Sequence, residues 1–117
     1  MDMVETFTAL SEPNRYRIVE LLRSGPRAVN DIGERLKLQQ PQVSKHLRVL
    51  KDTGIVDVLP RGQQRLYELR AKPFQKMQGW LERYRQLWET RFEELDQVLA
   101  EQGEEEKEKG DGKRKRR

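Results

Sequence analysis

Cysteine is absent from the 117 residues, and histidine occurs once, at position 46. The first absence excludes disulfides, thiolate metal sites and thiol nucleophiles. The second leaves a single imidazole, too little for a histidine-based metal cluster, and no Ser-His-Asp order, glycine-rich phosphate loop or paired acids accompany it. No enzymatic activity, no metal and no cofactor is therefore expected. Long apolar runs are missing as well. Nothing approaches the roughly 18–20 residues of a membrane span, and the start, with Met1, Asp2 and Glu5, lacks the basic region and apolar run of a secretory leader. A cytoplasmic chain is the expectation. Aromatic residues are 7% and apolar residues 34% of the total, enough for one modest domain with a single core. Charge is plentiful: 38% of residues, with a formal excess of +4 and a pI near 9.5. That balance suits a phosphate-rich partner without identifying one.

Hydrophobic spacing divides the chain. Val4, Phe7 and Leu10 recur every three residues and predict a short helix with one apolar stripe, closed at Ser11-Glu12-Pro13. Pro13 opens a second helix, in which Ile18, Leu21 and Leu22 repeat until Ser24-Gly25-Pro26 stops the run. A third helix is expected over Asn30–Lys37, capped by Asn30, burying Ile32 and Leu36, with Gly33 making room for a close neighbour. After a short turn, Gln40-Pro41 opens a fourth helix with Val43, Leu47 and Leu50 on one face, and Gly54 ends it. The period then changes. Ile55–Leu59 and Arg65–Leu69 are β-rich runs on either side of Pro60-Arg61-Gly62-Gln63-Gln64, which predicts a hairpin. From residue 73 a single long helix is expected to residue 102, with Phe74, Met77, Leu81, Tyr84, Trp88, Phe92, Leu95 and Leu99 on one stripe. Residues 103–117 hold an acidic run and the ending Lys113-Arg114-Lys115-Arg116-Arg117 without an apolar anchor, and read as a disordered charged tail.

Two short helices joined by a tight turn over residues 30–53 form a candidate helix-turn-helix, whose second helix must be apolar on one side and free to enter a groove on the other. At 100° per residue, Val43, Leu47 and Leu50 fall in one sector. Pro41, Lys45, Arg48 and Asp52 point the opposite way, with Gln42 and Ser44 at the flanks. Gln40 and Gln42 carry amides able to pair in a bidentate manner with an adenine edge. Lys45 suits a guanine edge or a phosphate, Arg48 a phosphate, and Ser44 either kind of acceptor. His46 sits between the two faces, where packing, a phosphate contact and a base contact all stay open, and it counts among the candidate DNA contacts. At the hairpin tip, Arg61, Gln63, Gln64 and Arg65 surround Gly62, where side chains can project beside a duplex.

The runs Ala9-Leu10-Ser11-Glu12-Pro13-Asn14-Arg15, Ile18-Val19-Glu20-Leu21-Leu22 and Gln40-Pro41-Gln42-Val43-Ser44-Lys45-His46-Leu47-Arg48-Val49-Leu50 resemble, in order and spacing, the ArsR-type winged helix-turn-helix repressors. The resemblance covers residues 5–71. Trp80-Leu81-Glu82-Arg83-Tyr84 with Leu87-Trp88-Glu89 is similar to the terminal helix of a cysteine-free subgroup. The resemblance implies a mainly α fold with a small β-hairpin as the wing: a winged helix-turn-helix over residues 1–72, carrying a long dimerisation helix at 73–102. It implies a homodimer on a palindromic double-stranded DNA operator in or near its own promoter, with helix 40–53 in the major groove and wing 60–65 alongside. Gln40, Gln42, Ser44, Lys45 and His46 fall where the family places groove contacts. Gln39 stands where the family usually has a Ser or Thr cap, so a less firmly capped first turn is expected. The thiolate-pair region of the metal-sensing relatives is here Val29-Asn30-Asp31, and no inducer is indicated.

On the long helix, Trp80, Tyr84, Trp88 and Phe92 would leave an apolar patch on a monomer, and a symmetric dimer is the common way to cover one. Phe7, Met77, Leu81 and Leu95 join them as candidate dimerisation residues. A competing reading is a protein-interaction module with the aromatic helix as its partner surface. The basic ending is consistent with an import patch, a mobile phosphate-touching arm or simple solubility.

Overall fold

The computed structural model describes residues 2–108, apart from the side chains of Phe92 and of residues 104–108. The tail at 109–117, with its basic ending, and the Phe92 side chain therefore lie outside the described residues. Nine elements follow in order: α1 (Met3–Leu10), α2 (Pro13–Leu22), β1 (Arg27–Ala28), α3 (Val29–Leu36), α4 (Gln40–Asp52), β2 (Val56–Arg61), β3 (Gln64–Leu69), α5 (Ala71–Glu82) and α6 (Arg85–Glu108). The strands form one antiparallel sheet in the order β1-β3-β2. The architecture is a winged helix-turn-helix with further helices at its C-terminal end. Among the described residues two compact units are present, divided after Gln78.

In the first unit the helices share one core. Ile18, Ile32, Val43, Leu47, Leu50, Ile55 and Val56 are fully buried, joining α2, α3, α4 and the base of the hairpin. Helix α1 departs from the expected stripe: it buries Thr6 and Ala9, while Val4 is 70% and Phe7 37% exposed. Two arginines of α2 satisfy helix ends that would otherwise lose their carbonyl partners. Arg15 Nε donates to Ala9 O at 2.8 Å, and Arg17 Nη2 donates to Leu36 O at 2.9 Å.

Asn30 does not cap α3. Ala28 holds that position without a side-chain bond, because Arg27 and Ala28 are drawn into a short strand opposite Tyr67 and Leu66. Helix α3 ends one residue earlier than expected. Lys37 takes a left-handed conformation (φ 59°, ψ 47°), and Leu38 N bonds back to Gly33 O at 2.9 Å, closing the helix and turning the chain sharply into α4.

That turn depends on Gly33. A Cβ there would stand 2.9 Å from Leu38 O, a backbone atom with little freedom to retreat. Gly33→Ala is expected to lower unfolding free energy by about 1–3 kcal/mol despite alanine's better helix propensity. Urea unfolding checks this, and an unchanged or raised midpoint would show that the α3–α4 turn yields freely.

The hairpin is longer than its β-rich runs suggested. Val56 pairs with Leu69 at one end and Arg61 with Gln64 at the other, leaving a two-residue turn in which Gly62 takes φ +62°, the region where glycine pays no Cβ penalty.

The single long helix expected over 73–102 is two helices. Arg83 N bonds to Trp80 O and Tyr84 N to Leu81 O, three-residue closures that end α5. Arg85 then spans the break, its guanidinium bonding Glu82 at 2.6 Å and Glu89 at 2.9 Å. The first compact unit ends at Gln78, inside α5, and Phe74 packs against its core. Helix α6 runs through Gly103 to Glu108. Glu, Gln and Lys are good helix formers, and one glycine costs only about 1 kcal/mol.

Candidate nucleic-acid interface

Helix α4 is two-sided, as its residue spacing predicts. Val43, Leu47 and Leu50 are buried at 0–1% exposure, so the helix is anchored along one side. Pro41, Lys45, Arg48 and Asp52 are exposed on the opposite side, with Gln40, Gln42 and Ser44 also exposed. Thr53 closes the helix through Thr53 Oγ1 to Val49 O at 2.7 Å, and Gly54 follows at φ +85°. The predicted stop therefore coincides with the observed one.

The first turn of α4 has a cap that the residue types alone do not suggest. Gln42 Oε1 accepts a bond from Gln39 N at 3.1 Å, the half of a capping box in which the third helical residue reaches back to the cap residue's N–H. One consequence is that Gln42's carbonyl oxygen is already engaged. A bidentate adenine contact by Gln42 would have to share or open that capping bond. Gln40 carries no such commitment and is the better candidate reader.

Arg61, Gln63, Gln64 and Arg65 are all exposed at the wing tip. The tertiary fold brings three of them beside α4. Gln40, Gln63, Gln64 and Arg65 line one cleft of about 420 Å³ together with Ala28, Val29, Asn30, Asp31 and Glu34. The residues from the start of α3 were not among the sequence candidates, and no local signal marks them. They arrive there because β1, just before α3, pairs with β3. Asp31's charge is answered by Arg27 at 2.6 Å and Arg35 at 3.0 Å, and the Arg27 hydrogen bond holds its carboxyl below the usual range. The acidic edge of the cleft is thus partly offset, leaving Lys45, Arg48, Arg61 and Arg65 as cations on the exposed polar side.

His46 is placed differently from the other candidates. Its side chain is only 13% exposed, with Nδ1 3.8 Å from Glu12 Oε1, so it turns toward the start of α2 rather than outward. The sequence position on the flank of α4 left both directions open, and packing against α2 decided between them. Among the described residues, no group of three His, Asp or Glu side chains gathers to hold an ion, and no helix is long and apolar enough to cross a membrane.

This arrangement has close counterparts. The family model described as "Bacterial regulatory protein, arsR family" matches residues 12–58, from the start of α2 into β2. The transcriptional repressor SdpR of Bacillus subtilis is 32% identical over 79 residues, covering 68% of this chain and 88% of SdpR. The chain belongs to the ArsR family of bacterial regulatory proteins. ArsR proteins regulate transcription and are not enzymes. Among solved structures, an ArsR-like transcriptional regulator from Rhodococcus sp. RHA1 superposes with a TM-score of 0.67 at 25% identity, covering 82% of this chain and 91% of that one. The homodimeric winged helix-turn-helix DNA-binding domain of Mb0332 from Mycobacterium bovis, a possible ArsR-family regulator, shares the fold with a TM-score of 0.59 at 24% identity, covering 68% and 73%. In this ArsR chain the family match spans the whole of α4 but stops before β3, so the wing tip's composition is a feature of this member to be read from its own residues.

On the second unit, apolar side chains remain in solvent. Leu81, Tyr84, Leu87, Leu95, Val98 and Leu99 are each 41–56% exposed, and Trp80 and Trp88 are half-buried. Trp80 and Tyr84 meet edge to face with ring centroids 5.2 Å apart. In the first unit Met77 is half-buried and Phe7 exposed.

Proposed function

We propose that this ArsR chain is a cytoplasmic homodimeric repressor that binds a palindromic double-stranded operator, with α4 in the major groove and the wing tip against the backbone. The single observation that supports the reading most is the two-sidedness of α4. Its buried face is fixed by Val43, Leu47 and Leu50, and its polar face is exposed beside the wing residues with which Gln40 shares a cleft. Gln40 and Lys45 carry base reading and positioning, Ser44 and Arg48 add acceptor and phosphate contacts, and Arg61 and Arg65 supply charge beside the duplex. Gln63 and Gln64 add polar reach at the tip. Leu81, Tyr84 and Leu95, with Trp80 and Trp88, form the surface through which two copies meet, consistent with the homodimeric state of Mb0332. Occlusion of the promoter by the bound dimer then lowers transcription.

The test is to select bound duplexes from a random pool and titrate the selected sequence at several salt concentrations. Gln40→Ala is expected to relax preference at one base position at a cost of about 1–3 kcal/mol. Lys45→Ala is expected to weaken binding uniformly and to reduce the slope of log affinity against log salt by about 1 for each phosphate that Lys45 neutralises. A protein that selects no sequence, or two variants that bind as the wild type does, would overturn the reading in favour of an interaction module.

A further inference from the structure

Base reading leaves one buried titratable group on α4 unused. The His46 side chain is 13% exposed, and its Nδ1 is buried with no hydrogen-bond partner. The carboxylate facing it belongs to Glu12, whose Oε1 lies 3.8 Å from Nδ1. That same oxygen accepts from Arg15 N at 2.9 Å and so caps α2. Arg15 in turn reaches Ala9 O, at the end of α1. Glu12 is therefore fixed at the junction of α1 and α2 and set against the recognition helix.

A carboxylate only accepts hydrogen bonds. A ring lone pair at Nδ1 would be repelled by it, an Nδ1–H is attracted, and an imidazolium is attracted more strongly. The Arg15 backbone N–H, with a smaller contribution from the charge of His46, holds the Glu12 carboxyl below its usual range. Glu12 is thus ionised wherever histidines titrate. Among the charged groups on elements packed against α4, Asp31 on α3 pairs with Arg27 and Arg35, Asp57 on β2 lies 3.4 Å from Arg70, and Glu34 on α3 and Arg61 on β2 are exposed. On α4 itself, Lys45 and Arg48 face solvent.

We propose that His46 is a positioning residue rather than a DNA contact: its Nδ1–H ties α4 to the capped start of α2, and ring protonation tightens the tie, so that operator affinity rises as pH falls. This rests on the reading of α4 as the base-reading helix. The sign follows from the charges. The imidazolium form is attracted to Glu12 more strongly than the neutral Nδ1–H form, so the tie strengthens as the ring takes up a proton. A helix already held at its working angle has less freedom to lose on binding DNA.

The full-length protein and its selected duplex are titrated at constant ionic strength from about pH 8 to about pH 6. Wild type is expected to gain about two- to fivefold in affinity, the range of a partly exposed ion pair. His46→Gln should abolish that gain. Glu12→Gln, which keeps an oxygen for the Arg15 cap but removes the charge, should abolish it too. A flat wild-type profile overturns the proposal. So does a Glu12→Gln variant that keeps the full response, because His46 would then act on DNA directly. Absence of sequence preference at both pH values overturns the base-reading assignment and this role with it. Should Glu12→Gln fail to fold, thermal melting without DNA decides: lowering the pH should raise the melting temperature of wild type relative to His46→Gln, and identical responses would overturn the proposal.

Discussion

Leu47→Ala is expected to lower the unfolding free energy by about 3 kcal/mol or more, while Lys45→Ala, two residues away, changes it by less than about 0.5 kcal/mol. Leu47 is 1% exposed at the centre of the core that joins α2, α3 and the base of the wing. Truncating it removes apolar burial and leaves a cavity among neighbours that are themselves fully buried, so little collapse can fill the space. Lys45 projects from the exposed side of the same helix. In a unit of about 80 residues, total stability is only about 5–10 kcal/mol, so the Leu47 loss should depress Tm by roughly 12–24 °C. Thermal unfolding by circular dichroism measures both variants. A Leu47→Ala protein within about 1 kcal/mol of wild type would mean that the inner face of α4 is not the anchor described above. Operator titration of the same pair should show the reverse pattern, with Lys45→Ala impaired while still fully folded.

Leu81→Asp is expected to convert the dimer to a monomer and to weaken operator binding by about 10²–10⁴-fold. Leu81 is 45% exposed in the single chain, so an aspartate there is tolerated by the isolated fold. At a dimer interface the same carboxylate would be buried without a partner, at a cost of several kcal/mol. On the proposed reading, DNA affinity should fall when dimerisation is lost, because two linked reading helices would engage two half-sites, the second at a high effective concentration. Sedimentation gives the oligomeric state and fluorescence anisotropy the affinity. A Leu81→Asp protein that stays dimeric would move the interface elsewhere. One that is monomeric yet binds with wild-type affinity would sever the proposed link between assembly and recognition.

Much of the geometry of the candidate DNA-facing surface was legible in the order of residues. The spacing of Val43, Leu47 and Leu50 put the apolar side of α4 in the right place, and the exposed positions of Lys45 and Arg48 followed from the same 100° step. Gly33's close approach to Leu38 and the stop at Gly54 were equally readable, since each concerns backbone within a few residues. The misreadings have a common origin in contacts made at a distance or in signals too short to register. Strand β1 has two residues, fewer than any alternation can reveal, yet it displaces the cap of α3 from Asn30 to Ala28. The break at residues 83–84 is invisible to periodicity because Leu81, Tyr84 and Trp88 keep the three-to-four spacing across it.

Local chemistry settles what is periodic: which stretches are helix or strand, which side of α4 is greasy, and where the wing turns. These follow from backbone geometry repeated every few residues, so neighbours in the chain are sufficient. Which side chains finally meet is another matter. Gln40 beside Gln64 and Arg65, Glu12 against His46, and Arg27 across from Tyr67 unite positions more than 20 residues apart. Their proximity depends on how whole elements pack around the buried Ile18, Ile32 and Leu50, a cooperative outcome of core shape that no short window of residues contains.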